Sequence, residues 1–190
     1  VEIIKQIIEY QNKEPFVISD PIIGENGSLY PGMPENSIAA SQLMALEADL
    51  IIPNLTELCF ILEEEYPVER KLTHEQMIAW LMKIKDRGIK SVVVTSVPID
   101  SECYVYGYSQ TEDIFRVKID YVPIEVGGTG DMFTSLLIGS YVDKRTLEDS
   151  VKYATGIITK IILKEYKEGR NNKVNEIKVQ NHLPYIYKTL

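Results

Sequence analysis

Apolar positions along this chain fall either in short continuous runs or in stripes of helical period. Phe16-Val17-Ile18-Ser19, Asp49-Leu50-Ile51-Ile52 and Ser91-Val92-Val93-Val94-Thr95-Ser96 are runs of the first kind. Each predicts a buried strand that finishes in polar residues, with Asp20-Pro21 after the first and Pro53-Asn54 after the second. Between the second and third runs, Thr73 and Gln76 make a capping box, Met77, Ile78, Leu81, Met82 and Ile84 supply one apolar face, and Gly88 is a stop. That pattern predicts a helix from Thr73 to Arg87. Continuous apolar strands alternating with helices require parallel pairing in a sheet covered on both faces. The expected fold class is therefore α/β.

The same reading predicts an amphipathic helix over Val1–Tyr10, already under way at the first residue, and a loop from Gly24 to Pro34. Tyr104 to Tyr108 and Ile114 to Lys118 flank a polar turn and predict an antiparallel hairpin, its tyrosines packing an edge strand rather than forming a stacking platform. A helix is expected from Met132 to about Val142, and a second, opened by Thr146 and Asp149, to about Glu168, with Gly169 to Asn172 as a polar loop after it. No repeat, low-complexity tract or linker marks a second domain, so residues 1–190 are expected to form one.

Composition narrows the partners. A chain of 190 residues can bury a core without disulfide staples. A formal charge of -8 argues against nucleic acid as a partner, since its phosphates would be repelled. Cys59 and Cys103 are too few and too distant for a disulfide framework or a zinc site, which points to a reducing cytoplasm. No apolar run reaches the length of a membrane span, so no membrane partner is expected.

In parallel sheets, ligands collect beyond the carboxyl ends of the strands, where Asp20, Asn54 and Thr95 fall. Asn54 and Glu57, three residues apart, are hard oxygen donors of the kind Mg²⁺ takes beside nucleotide phosphates. They are also a capping box, and both roles are open. Thr95 and Ser96 offer hydroxyls to a nucleotide, or to the local backbone. Gly127-Gly128-Thr129-Gly130-Asp131 precedes the apolar run Met132–Ile138. Glycine N–H groups at a helix start form a cup for phosphate, and a carboxylate on that first turn can take a proton from a hydroxyl nucleophile. A Gly-rich turn with Asp131 favoured by the helix dipole is the structural alternative. Neither G-x-x-x-x-G-K-[ST] nor G-x-G-x-x-G with its acidic partner occurs.

Taken in order, Asp20-Pro21, Asn54-x-x-Glu57, Thr95-Ser96 and Gly128-Thr129-Gly130-Asp131 resemble the ribokinase-like superfamily of small-molecule kinases across nearly the whole chain. Asp20-Pro21-Ile22-Ile23-Gly24-Glu25-Asn26-Gly27-Ser28-Leu29-Tyr30 resembles the D-P-x-x-G-x-x-G-x-x-Y segment of pyridoxal kinases, a glycine and tyrosine spacing that hydroxymethylpyrimidine kinases usually lack. The resemblance implies a three-layer fold, a central mostly parallel sheet between helices, usually in a homodimer. It implies ATP-dependent phosphorylation of the 5′-hydroxyl of pyridoxal and related vitamin B6 forms, giving pyridoxal 5′-phosphate. On that similarity Asp131 is the catalytic base, and the backbone of Gly128, Thr129 and Gly130 is the anion hole. Asn54 and Glu57 organise Mg²⁺ and its waters, Asp20 lies near the metal and phosphates, and Thr95 and Ser96 contact ATP. A monovalent cation beside the triphosphate is left open. Alternatives are a hydroxymethylpyrimidine or other ribokinase-like kinase and, from another class, a nucleotide- or vitamin-binding protein without turnover.

The chain departs from the pyridoxal kinase pattern in Glu25, where Asp is common, in Ile52, where Thr is common, and in Gly127, which replaces a larger residue. The N-terminal third that supplies the family's first strands and most ring contacts is missing from the match. Its absence is expected to expose apolar sheet surface and an unpaired strand edge.

Overall fold

The computed structural model describes residues 1–10, 15–68, 72–120, 122, 127–167, 177 and 179–187. The chain divides into two compact units, Val1–Arg116 and Val117–Leu190. In the first, helix α1 (Glu2–Glu9) precedes β1 (Ile18–Ser19), a small hairpin of β2 (Gly24–Glu25) and β3 (Ser28–Leu29), and α2 (Asn36–Glu47). Then follow β4 (Leu50–Ile51), α3 (Leu55–Leu62), α4 (His74–Asp86), β5 (Val92–Ile99), β6 (Glu102–Tyr108) and β7 (Phe115–Ile119), the last lying across the boundary.

The main sheet runs β1-β4-β5-β6-β7. β1 pairs with β4 and β4 with β5 in parallel, while β5 and β6 are antiparallel. The expected parallel core is present. Its first two strands are shorter than the apolar runs suggest, although the Val17 carbonyl still accepts the Asp49 N–H at 2.7 Å. Ile51, Val92, Val94, Leu58, Ile61, Met77, Leu81 and Ile84 bury one continuous core between the sheet and α3 and α4. The α4 cap forms as expected: Thr73 accepts the Gln76 N–H and Gln76 returns to the Thr73 N–H.

Three expectations need correction. The expected loop from Gly24 to Pro34 contains the β2–β3 hairpin, whose two-residue connection, Asn26-Gly27, has φ of 53° and 79°. Two successive positive φ angles are the geometry of the type I′ turn, which Asn-Gly adopts most readily. The strand expected to end at Ser96 continues to Ile99 and turns straight into β6, because a bulge between Val94 and Val97 absorbs the polar pair Thr95-Ser96 without ending the ladder. Tyr106 and Tyr108 are core residues, each 1% exposed, rather than edge packing, since β7 covers the far side of β6.

The second unit contains α5 (Thr129–Val142), α6 (Leu147–Lys167), a 3-10 turn (Val179–Asn181) and α7 (Leu183–Tyr187). The expected loop over Gly169–Asn172, and the end of the preceding helix at Glu168, lie outside the described residues. Phe133, Leu136 and Leu137 of α5 and Val151, Ala154 and Ile161 of α6 are buried. A buried pair, Glu165 Oε1 to His182 Nε2 at 2.9 Å, ties α6 to the segment that follows.

Candidate functional site

In the first unit the site is built on the start of α3. Asn54 is the N-cap: its Oδ1 accepts the Glu57 N–H at 3.0 Å, and Glu57 Oε2 accepts the Asn54 N–H at 2.9 Å. The structural alternative for this pair is thus realised. The same two side chains do more than cap the helix. Glu57 Oε1 accepts the Ile23 N–H at 2.9 Å, and Asn54 Nδ2 donates to the Gly24 carbonyl at 2.8 Å, so both reach the hairpin segment.

Glu57 is 2% exposed. Burial pushes its carboxyl up to about 7, against the downward pull of the backbone N–H groups of Asn54, Ile23 and Gly24, while the charge of Asp20 adds to the rise. Tyr30 is also raised, first by burial and then by the charges of Glu25, Glu57 and Asp20. These acidic groups and Tyr30 therefore share one neighbourhood. Asp20 is half-buried, and Glu25 is exposed.

The two glycines of the D-P-x-x-G-x-x-G-x-x-Y segment have packing reasons. A Cβ on Gly24 would come within 2.4 Å of the Ser28 carbonyl oxygen and 3.0 Å of the Phe60 ring. On Gly27, already at positive φ, it would meet the Tyr66 ring at 3.0 Å. The Tyr30 N–H donates to the Ile23 carbonyl at 3.0 Å and closes the segment. The spacing is therefore that of a hairpin held tightly against α3.

Thr95 lies beside this cluster. It forms a parallel bridge with Asn54, and its N–H donates to the Pro53 carbonyl at 3.0 Å. Ser96 follows at φ 56°, a left-handed conformation that a non-glycine residue seldom holds, and it is exposed. Ile52, where kinases of the pattern carry Thr, is 2% exposed and donates its N–H to the Ser19 carbonyl at 2.9 Å. The first unit thus brings Asp20, Asn54, Glu57 and Thr95 to one end of its parallel strands.

In the second unit the site is the start of α5. Gly128 is the N-cap at φ 80° and ψ 8°, so the turn needs its left-handed freedom. Asp131 lies in the first helical turn and is exposed. Its backbone carbonyl accepts the Ser135 hydroxyl at 2.8 Å. Gly130, unlike Gly128, does not have a positive φ, and among the described residues a Cβ there would meet nothing within 4 Å outside the helix. A cavity of about 440 Å³ adjoins the turn, lined by Gly128, Asp131, Met132 and Leu136 together with Ile177 and Leu183. That volume is within the range of small-molecule sites. The Gly127 carbonyl accepts the Ile177 N–H at 3.3 Å, which ties the residue before the N-cap to Ile177.

Other reactive groups are accounted for locally. His74 bonds the Tyr106 hydroxyl and His182 pairs with Glu165. Cys59 is buried, and burial pushes its thiol up to about 12. Among the described residues no group of three or more His, Cys, Asp or Glu is placed to hold a metal by itself, and no helix is long and apolar enough to cross a membrane. The functional geometry not foreseen from the sequence is the hairpin, with Thr56 accepting the Gly27 N–H at 2.9 Å; Asn26-Gly27 was the available signal.

Comparison with known proteins agrees with this architecture. The family model for phosphomethylpyrimidine kinase matches residues 1–175. The pyridoxal kinase of Dictyostelium discoideum is 28% identical over 152 residues, which cover 73% of this chain and 47% of that protein. The pyridoxal kinase of Entamoeba histolytica, also solved with PLP, superposes with a TM-score of 0.80 at 25% identity, covering 100% of this chain and 64% of that one. A Bacteroides thetaiotaomicron protein, described provisionally as a phosphomethylpyrimidine kinase and solved with pyridoxal, gives 0.78 at 30% identity over 87% of this chain and 59% of that one. The chain spans about half the length of the curated relatives it matches. The fold is ribokinase-like: a mixed sheet with a parallel core, flanked by helices.

Proposed function

The chain belongs to the phosphomethylpyrimidine kinase family, and from that premise we propose that it carries the nucleotide and phosphoryl-transfer parts of an ATP-dependent pyridoxal kinase. The reaction moves the γ-phosphoryl group of ATP to the 5′-hydroxyl of pyridoxal or a related B6 form. The acceptor oxygen attacks phosphorus, its proton passes to the Asp131 carboxylate, and the bond to the β-phosphate oxygen breaks to release ADP. The backbone of Gly128, Thr129 and Gly130 holds the equatorial oxygens, where first-turn N–H groups and the helix dipole favour negative charge. Thr95 and Ser96 contact ATP, and Asp20 lies near its phosphates. In this reading the two compact units serve a single kinase domain.

One observation carries the phosphoryl-transfer assignment. Gly130 sits in the first turn of α5, and among the described residues nothing outside the helix lies within 4 Å of where its Cβ would be. Packing does not require it. Gly139 and Gly156 are equally open, so what supports close approach of a ligand at Gly130 is its place at the helix start between Gly128 and Asp131, which line the cavity.

Mg²⁺ fits the α3 donor set. Glu57 takes backbone N–H groups from Asn54, Ile23 and Gly24, which leaves its carboxylate few free lone pairs, so Asn54 and Glu57 suit an ion held largely through its own waters. When bound, the ion neutralises charge on the β- and γ-phosphates. A monovalent cation, a homodimer and a cytoplasmic location complete the reading.

The family description itself favours a second acceptor, a phosphomethylpyrimidine, in line with the hydroxymethylpyrimidine (phosphate) kinase alternative. The Gly24 and Gly27 packing supports pyridoxal instead, because it accounts for the glycine spacing that marks the pyridoxal kinase segment. Product formation from ATP with each acceptor separates them. We expect pyridoxal to be phosphorylated with the higher kcat/KM. Turnover of the pyrimidine alone would overturn the acceptor assignment, and tight pyridoxal binding without product would make the chain a binding protein.

A further inference from the structure

Among the described residues, three side chains at the start of α3 bond the β2–β3 hairpin segment, and only two of them are the pair already assigned to the metal. Asn54 Nδ2 holds the Gly24 carbonyl and Glu57 Oε1 holds the Ile23 N–H, both at the base of the hairpin. The third is at its tip, where Thr56 Oγ1 accepts the Gly27 N–H at 2.9 Å. Thr56 is 2% exposed, so its hydroxyl cannot exchange this partner cheaply for water. Gly27 has little room to move elsewhere, with the Tyr66 ring 3.0 Å from where its Cβ would be.

We propose that Thr56 is a positioning residue: its hydroxyl pins the tip of the hairpin to α3 and thereby keeps Asn54 and Glu57 in the arrangement that receives the metal–nucleotide complex. The argument is mechanical. Asn54 and Glu57 are oriented partly by the Ile23 and Gly24 backbone, and that backbone is held at one end by β1 and at the other by the turn. If the turn lifts, the load falls on the bonds made by Asn54 and Glu57, and those side chains follow the loop instead of the helix. The inference rests on the kinase reading above.

The experiment compares Thr56→Val and Thr56→Ser with the parent in the full chain. Valine keeps the shape and removes the acceptor; serine keeps the acceptor and removes a methyl. Hydrogen exchange at the Gly27 amide should accelerate about 2- to 10-fold in Thr56→Val, the range expected for one lost hydrogen bond, and stay near the parent rate in Thr56→Ser. With pyridoxal as acceptor, KM for MgATP should rise about fivefold in Thr56→Val with kcat within about twofold, and calorimetric MgADP affinity should fall in parallel. Serine should restore both. Unchanged Gly27 exchange would remove the clamp. Faster exchange with unchanged nucleotide constants would leave a merely structural bond and overturn the positioning role, as would equal KM increases in both variants. Failure of the kinase reading looks different: the parent itself would neither bind MgADP nor turn over, and the inference would fall with it.

Discussion

The starts of α3 and α5 both carry an acidic residue in the first turn, and they are finished in opposite ways. At α3 the N-cap is Asn54, the carboxylate folds back in a capping box, and Glu57 is buried with each oxygen on a backbone N–H. At α5 the N-cap is Gly128, which has no side chain to offer, and Asp131 is exposed. The α4 start, Thr73 with Gln76, shows what capping looks like when only helix stability is at stake. Against that reference α3 is over-satisfied, spending its polar atoms on a distant hairpin as well as on itself. The α5 start lacks a side-chain cap, which suits a helix end whose donors serve an external anion.

Removing the exposed carboxylate should give the largest effect. Asp131→Asn should lower kcat about 10²- to 10⁴-fold, the usual worth of a positioned general base, with ATP affinity within about threefold of the parent. Steady-state kinetics with a nucleotide-binding isotherm check this. Equal rates would remove Asp131 from the chemistry.

The buried carboxylate should speak through stability instead. Glu57 has a folded-state value raised to about 7, so the folded protein holds its proton longer than the unfolded chain does. Its contribution is complete below about pH 4.5 and declines as pH rises to about 7, by about 3 kcal/mol at most for a shift of this size. Denaturant unfolding across that window should show stability falling with rising pH, and Glu57→Gln should flatten the slope. A parent slope of the opposite sign, persisting in the variant, would contradict the assignment. Bound Mg²⁺ should also flatten it, because the ion displaces the proton.

The smallest effect has the most telling sign. Gly130→Ala should leave the fold as stable as the parent or raise its stability by at most about 0.5 kcal/mol, since the position is in the first helical turn and no described residue outside the helix comes within 4 Å of the new methyl. It should nevertheless weaken ATP binding. A variant at least as stable and equally tight for ATP would take the ligand away from this turn.

These regions were legible in the sequence to different degrees, for physical reasons. Helix starts were readable because capping chemistry is local: Thr73 with Gln76 and Asn54 with Glu57 stand three residues apart, and both boxes form. Gly128 to Asp131 was readable for the same reason. The β5 extension was hidden because Thr95-Ser96 imitates a strand end, and only pairing with β6 carries the ladder through the bulge to Pro98 and Ile99. The hairpin tip announced itself in Asn26-Gly27, but its docking partner Thr56 is 29 residues away, beyond any local pattern. Helix α2, whose apolar residues include Leu43 and Leu46 at 50% exposure, lacks the one-sided stripe that makes a helix conspicuous.

The contrast between the two helix starts is tested most directly by the backbone itself. In ¹⁵N-labelled protein titrated with MgATP, the amide resonances of Gly130 and Asp131 should shift strongly and become protected from exchange, and adenosine alone should leave them in place. The Asn54 and Glu57 amides, already paired within their capping box, should move far less. If the α5 amides stay unperturbed at saturating nucleotide, the start of α5 is an ordinary glycine turn and phosphoryl transfer has no anion hole here.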